Sequence, residues 1–437
     1  MKNDAAEKRP TPVSPEKIMD LVSKADSARM RMSLEMCASC GLCADSCLFY
    51  TAHDNDPAYM PQAKVRATIG EVIRKKGNID REFLRSTHQL LWGGCTMCRR
   101  CTQVCPFGID IAGLIHLGRR VCHAVDAAPD EIKAIDDNYA CSGNQMAIPE
   151  EDFIETLEWI EEEGEVEVAG LKVPINRKGA RVMYAINPRE ANFYPQEITQ
   201  AAQIFHVAGE DWTMPSKGWD CTNLPLFSGN LPLAASMTES MYRQAQELGV
   251  ETVCLTECGH AWRVAQYEAP YWLGVEGGKP PVTVTHPVRL YLEFIKSGRI
   301  KLDPSKRITE PVTIQDPCSL SRNGGLADEL REIVSLFASD VREMTPTREY
   351  NHCCGGGSGL IPMGGDWRKE RMKAGVVKAD QIRETGAKIV FTPCHNCHDQ
   401  ITDLSKEYDL GVKAMYLKDH ITEAMLLPDD MVPREEG

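Results

Sequence analysis

Cys37-Ala38-Ser39-Cys40-Gly41-Leu42-Cys43-Ala44-Asp45-Ser46-Cys47 and Cys95-Thr96-Met97-Cys98-Arg99-Arg100-Cys101-Thr102-Gln103-Val104-Cys105 share one spacing, C-x2-C-x2-C-x3-C. Three thiolates two residues apart on a tight loop wrap three corners of one cube of metal and sulfide. The fourth falls about one helical turn further on and points away. Gly41 and Gly94 let backbone approach closely, and Pro106 stops any continuation. Zinc is the alternative metal, since four cysteines commonly hold it. Zinc uses two spaced C-x2-C pairs; two complete runs, one ending in Cys-Pro, favour iron and sulfide.

These runs resemble the bacterial ferredoxin run for a [4Fe–4S] cluster, in which the fourth cysteine serves the other cube. The resemblance implies one cubane on Cys37, Cys40, Cys43 and Cys105, and a second on Cys95, Cys98, Cys101 and Cys47.

The rest of the composition narrows the class. The chain has 437 residues, 49 basic against 63 acidic, and a net charge of −14. That balance argues against a nucleic-acid partner, because phosphate binding needs clustered Lys and Arg. No stretch reaches the roughly 18–20 apolar residues of a membrane-spanning helix. The opening Met-Lys-Asn-Asp-Ala-Ala-Glu-Lys-Arg-Pro has no apolar export region. The expectation is a cytoplasmic protein, where 18 cysteines serve as metal ligands and not as a disulfide framework.

Residues 1–33 read as a polar tail and a short amphipathic helix, with Ile18, Leu21, Val22 and Ala25 at helical spacing. Residues 34–125 form a mostly helical two-cluster domain, with a helix opening at Pro61 and ending near Gly77. Residues 126–175 carry Glu150-Glu151-Asp152 and then Glu155, Glu158, Glu161, Glu162 and Glu163, with Phe153, Ile154, Leu157 and Ile160 among them. That is the pattern of a solvated helix linking two halves. Beyond it, Arg181 to Ile186, Thr252 to Leu255, Val312 to Gln315 and Lys388 to Phe391 read as strands. Helices at about Leu233–Leu248 and Asp366–Thr385 precede two of them, so α/β units follow.

This C-terminal half contains two copies of one unit, at 176–300 and 301–437. Asn187-Pro188-Arg189 aligns with Asp316-Pro317-Cys318, and Trp219-Asp220-Cys221 with His352-Cys353-Cys354. Glu257-Cys258-Gly259-His260-Ala261 aligns with Pro393-Cys394-His395-Asn396-Cys397. Val282 and Val412 then lead to a last helix in each copy.

The second copy resembles a CCG domain, as in the HdrD component of heterodisulfide reductase. The resemblance implies a noncubane [4Fe–4S] cluster on Cys318, Cys353, Cys354, Cys394 and Cys397. Five thiolates for four irons make a bridging thiolate sensible. In the first copy Arg189, Asp220 and Ala261 replace three of the five cysteines, leaving Cys221 and Cys258. Two thiolates cannot hold a second such cluster. The predicted fold is a helical ferredoxin-like two-cluster domain followed by two tandem CCG-type α/β repeats, the first degraded. A single intact copy is similar to the HmcF, TmcB and DsrK-type subunits of sulfate-reducer membrane complexes.

Other residues have plainer readings. Cys394-His395-Asn396-Cys397-His398 also spells the c-type haem attachment pattern, but that haem is attached outside the cytosol and the CCG pattern uses both thiols. Gly355-Gly356-Gly357-Ser358-Gly359 lacks the Gly-Lys-Ser/Thr of a phosphate loop and reads as backbone packed against the cluster. His260 is a candidate proton donor to a leaving thiolate, against a plain structural role. His352 and His395 flank cluster ligands and are placed to tune potential. Cys122, Cys141 and Cys254 fit no pattern and read as small buried residues.

The resemblance implies an oxidoreductase subunit peripheral on the inner face of the cytoplasmic membrane. Its partners are an integral-membrane cytochrome b-type subunit and, through it, a multihaem cytochrome c. Its substrate is a disulfide or trisulfide such as that of a DsrC-type protein. The alternative is the iron–sulfur subunit of a flavin-dependent hydroxyacid or glycerol-3-phosphate dehydrogenase.

Overall fold

The computed structural model describes residues 13–25 and 27–433, so the start of the polar tail lies outside the described residues. The chain divides into two compact units. The first comprises residues up to 133 with 227–230 and 358–374; the second comprises 134–226, 231–357 and 375 onward.

The first unit is helical. Ser14 caps a helix over Pro15–Lys24 that buries Ile18 and Val22. A second helix, Ser27–Met36, follows it. Pro61 at a first helical position opens Pro61–Val65, which runs through one wider turn at Arg66–Gly70 into Glu71–Arg74. Its end is fixed by Gly77 at φ +74°, where a Cβ would lie 2.7 Å from the Pro15 carbonyl. Asp110 caps the helix Ile111–Ala124, whose buried face carries Ile111, Leu114, Ile115 and Val121.

The second unit holds two four-stranded parallel sheets. One contains β1 (Val182–Ala185), β2 (Trp212–Thr213), β3 (Thr252–Leu255) and β4 (Thr283–Thr285), in the order β2-β1-β3-β4. The other contains β5 (Val312–Ile314), β6 (Val341–Arg342), β7 (Ile389–Phe391) and β8 (Lys413–Met415), in the order β6-β5-β7-β8. Every pairing is parallel, with Val182 opposite Thr252 and Val312 opposite Ile389. One continuous core carries residues of both sheets, including Tyr184, Leu255, Ile314 and Phe391.

The acidic stretch expected as a linker belongs to this unit from residue 134. The helix Glu150–Glu167 buries Phe153, Leu157 and Ile160 while its acidic residues Glu155, Glu158, Glu162 and Glu163 stay exposed. Phe153 stacks on Trp219 at 4.1 Å between ring centroids. The charge pattern was legible as a solvated face; the apolar face opposite it is core.

Candidate metal centres

The first unit gathers its eight run cysteines into two cavities. Cys37, Cys40, Cys43 and Cys105 line one, with Phe107 and Leu114. Cys47, Cys95, Cys98 and Cys101 line the other, with Phe49 and Ile115. Each set therefore draws three thiols from one run and one from the other. The helix Ile111–Ala124 positions both, since Ile111 lines each cavity.

The donor chemistry fits a polynuclear metal group. Burial pushes the Cys43 thiol up to about 11, and the nearby Cys37, Cys40 and Cys105 add to it. Burial, then Cys98, Cys95 and Cys47, hold Cys101 well above the usual thiol range. Thiols this crowded ionise together only where positive charge compensates them.

The two cavities differ in their cations. At the first, Arg66 is exposed and bonds the Cys37 carbonyl at 3.5 Å, and the Cys43 thiol donates to Gln62 at 2.8 Å. At the second, the Lys64 ammonium is buried, 2.6 Å from the Gly94 carbonyl and 3.7 Å from Cys47 Sγ. Buried Arg119 donates to the carbonyls of Leu91, Cys95 and Phe227 and to Ser358 Oγ, and lies over the Trp92 ring. It pins the loop that carries Cys95.

In the second unit, strand order explains the third cluster of thiols. β5 and β7 are adjacent, while their onward crossovers run to opposite sides, to β6 and β8. The carboxyl ends of β5 and β7 thus flank a topological switch point, where ligand sites form in open α/β sheets. Cys318 follows β5, and Cys394 and Cys397 follow β7. Cys353 and Cys354 reach the same place from the loop after β6: Cys353 Sγ lies 4.0 Å from Cys318 Sγ. Hydrogen bonds from Cys353 and Cys397 hold the Cys354 thiol well below its usual range. Cys397 also bonds Cys394. The N–H groups of Gly355 and Gly356 donate to Cys353 and Cys354, each at 3.4 Å, and Gly259 N–H donates to Cys394. Thiols ringed by backbone donors suit an anionic cluster, whose potential such bonds set.

Known proteins share these features. A 4Fe–4S dicluster domain profile matches residues 33–109, and the cysteine-rich CCG domain matches 312–402. The Hdr-like menaquinol oxidoreductase iron–sulfur subunit of Archaeoglobus profundus is 23% identical over 423 residues, covering 83% of this chain and 74% of that one. The HdrD component of the dihydromethanophenazine:CoB–CoM heterodisulfide reductase of Methanosarcina barkeri is 24% identical over 400 residues, covering 85% and 89%. The chain carries a CCG domain and is similar to HdrD-like iron–sulfur subunits. EtfAB:quinone oxidoreductase of Syntrophomonas wolfei is 22% identical, covering 88% of this chain and 56% of that one. With its Hdr-like relatives the HdrD-like chain shares the class of iron–sulfur oxidoreductase subunits that transfer electrons.

Arg189, aligned with Cys318, pairs with Asp399 at 2.6 Å. Asp220, aligned with Cys353, accepts from Gln145 and Thr222, and burial raises it to about 6. Cys221 and Cys258 are buried near one another. His260 is buried, and burial with nearby Arg263 holds it well below the usual histidine range, so it is uncharged at neutral pH. The charged imidazole is His395, where Glu190 and Glu197 overcome the opposing effect of burial. Cys122 and Cys254 are buried as expected, but Cys141 is exposed, near the end of the helix Asp130–Ser142. It lies off the buried stripe of Ile132, Asp136 and Tyr139, so a general tendency of cysteine misplaced it.

Residues outside the motifs also shape the sites. Lys378, on the helix Asp366–Thr385, is fully buried; burial lowers it to about 8, while Asp316, Cys354, Cys353 and Cys397 oppose that fall. Lys418 holds the Glu190 and Glu197 carboxylates. Lys64 was detectable: Lys64, Thr68 and Val72 form one buried stripe at helical spacing, and a lysine on such a stripe calls for a partner.

The glycine run gives a direct test of packing. A Cβ at Gly356 would lie 2.7 Å from Gln400 Cβ and 2.8 Å from the Asn396 carbonyl. Gly356→Ala is expected to cost about 1–3 kcal/mol and to lower iron bound in the CCG domain. Urea denaturation and iron analysis check it, and unchanged values in both refute the close approach.

Proposed function

We propose that the chain is the cytoplasmic iron–sulfur subunit of a membrane redox complex. It connects a membrane cytochrome b-type partner to a disulfide or trisulfide such as that of a DsrC-type protein, in either direction. The observation that carries this reading is the convergence of Cys318, Cys353, Cys354, Cys394 and Cys397 at the β5–β7 switch point. The four-thiol cavities of the first unit would hold two cubane clusters, and the five thiols one noncubane cluster. Bound iron–sulfur groups supply reversible one-electron storage. The chain supplies the thiolates, the N–H donors from Gly259, Gly355 and Gly356, and burial that excludes water.

The identical order of the two sheets supports reading 176–300 as a degraded copy of 301–437. With Arg189, Asp220 and Ala261 at the replaced positions, one five-thiol site remains, as in HmcF, TmcB and DsrK-type subunits. Among the described residues no helix is long and apolar enough to cross a membrane. Attachment to the inner face would come through partner subunits.

Metal analysis tests the reading. About twelve irons per chain are expected, four for each of three clusters. Zinc without iron would refute it. A second reading, a flavoprotein partner, is favoured by the likeness to EtfAB:quinone oxidoreductase. Co-purification with a flavoprotein in place of a cytochrome b would select it.

A further inference from the structure

The two four-thiol cavities carry cations of different kinds, and this difference has a redox consequence. Lys64 is 2% exposed, which for a lysine requires a strong electrostatic reason. Its ammonium contacts are the Gly94 carbonyl at 2.6 Å, Cys47 Sγ at 3.7 Å and the Phe49 ring at 5.6 Å. Among the described residues its ammonium makes no ion pair with a carboxylate; its polar partners are a thiol and a carbonyl. The lysine is therefore committed to the thiol cavity. Removed from water, its charge is little screened by salt.

At the Cys37, Cys40, Cys43 and Cys105 cavity the corresponding neighbours are neutral Gln62 and exposed Arg66. Cys40 itself is exposed. Water and counter-ions there weaken any single charge.

We propose that Lys64 sets the redox order of the two cubane sites, raising the potential of the one on Cys47, Cys95, Cys98 and Cys101 so that it holds the electron first. A buried positive charge stabilises the state with one more electron, so the site beside it reduces more readily. Lys64 is a positioning and charge-setting residue and takes no part in bond making. The inference rests on the cluster reading above.

The test is a dithionite titration of the purified, iron-loaded full chain, followed by electron paramagnetic resonance. In the unmodified chain the cubane signals are expected to develop in two separate steps. Lys64→Gln is expected to move the higher-potential step alone, by at least a tenfold change in the reduced-to-oxidised ratio at fixed potential, or about 59 mV downward. Lys64→Arg is expected to restore it. Full iron content with neither step moved, or with both moved equally, overturns the proposal. Cys40→Ser gives a check that does not depend on the lysine variants folding. It is expected to alter the lower-potential signal, and alteration of the higher one reverses the assignment and overturns it. A chain that binds no iron in its first unit would instead overturn the cluster reading, and the proposal with it.

Discussion

Cys353→Ser and Cys397→Ser are each expected to abolish the paramagnetic signal of the five-thiol site in oxidised, thiol-treated protein, while both cubane signals persist in the dithionite-reduced protein. Iron should fall from about twelve to about eight per chain. The reasoning is structural. Cys353 touches Cys318 at 4.0 Å and bonds Cys354, so it joins the loop after β5 to the loop after β6. Cys397 joins Cys354 to Cys394, and so the β6 loop to the end of β7. Losing either thiol disconnects one strand end from the rest. A serine hydroxyl is a harder, shorter and far less acidic donor than a thiolate. Cys141→Ser, on an exposed helix end, serves as a control expected to change nothing. If both ligand variants keep the signal, the five-thiol assignment is wrong.

Much of this arrangement could be read in the chain, for reasons specific to particular residues. Thiol spacing is a local property, so the grouping of Cys37, Cys40 and Cys43 was legible in the chain. The central strands β1, β3, β5 and β7 were visible as apolar runs. The edge strands β2 and β6 were not, because each has only two residues and takes its pairing from the strand beside it. The wider turn at Arg66–Gly70 left no local mark. Contacts between distant segments were hidden as well. Nothing near His395 announces Glu190 and Glu197, about two hundred residues earlier in the chain, within 3.4 and 3.0 Å. Lys418 was equally silent, since its partners come from the other sheet's helices.

That hidden network carries the second large effect. Lys418 is fully buried, with its ammonium 2.9 Å from Glu197 and 3.2 Å from Glu190. Leu417 and Lys418 N–H groups also donate to Glu257, each at 2.9 Å. Burial alone would raise Glu190 and Glu197, yet Lys418 and His395 outweigh it and keep both below the ordinary carboxyl range. Lys418→Met keeps most of the volume and removes the charge, leaving His395 as the cation of two buried carboxylates. Breaking a buried pair this way costs about 3–5 kcal/mol. Both carboxyl pKa values lie below 4.5 in the folded chain, so their contribution is complete above pH 4.5 and lost as pH falls below it. The gap in stability between Lys418→Met and the unmodified chain should therefore be full at neutral pH and narrow on acidification. Adding Glu197→Gln to Lys418→Met should recover at least about 1 kcal/mol, because the second change removes the orphaned charge. Urea denaturation of the three proteins at pH 7 reads these differences, and coincident midpoints for Lys418→Met and the unmodified chain would falsify them. His395 follows Cys394 directly, so the loss should also lower iron in the five-thiol site while the cubane signals remain.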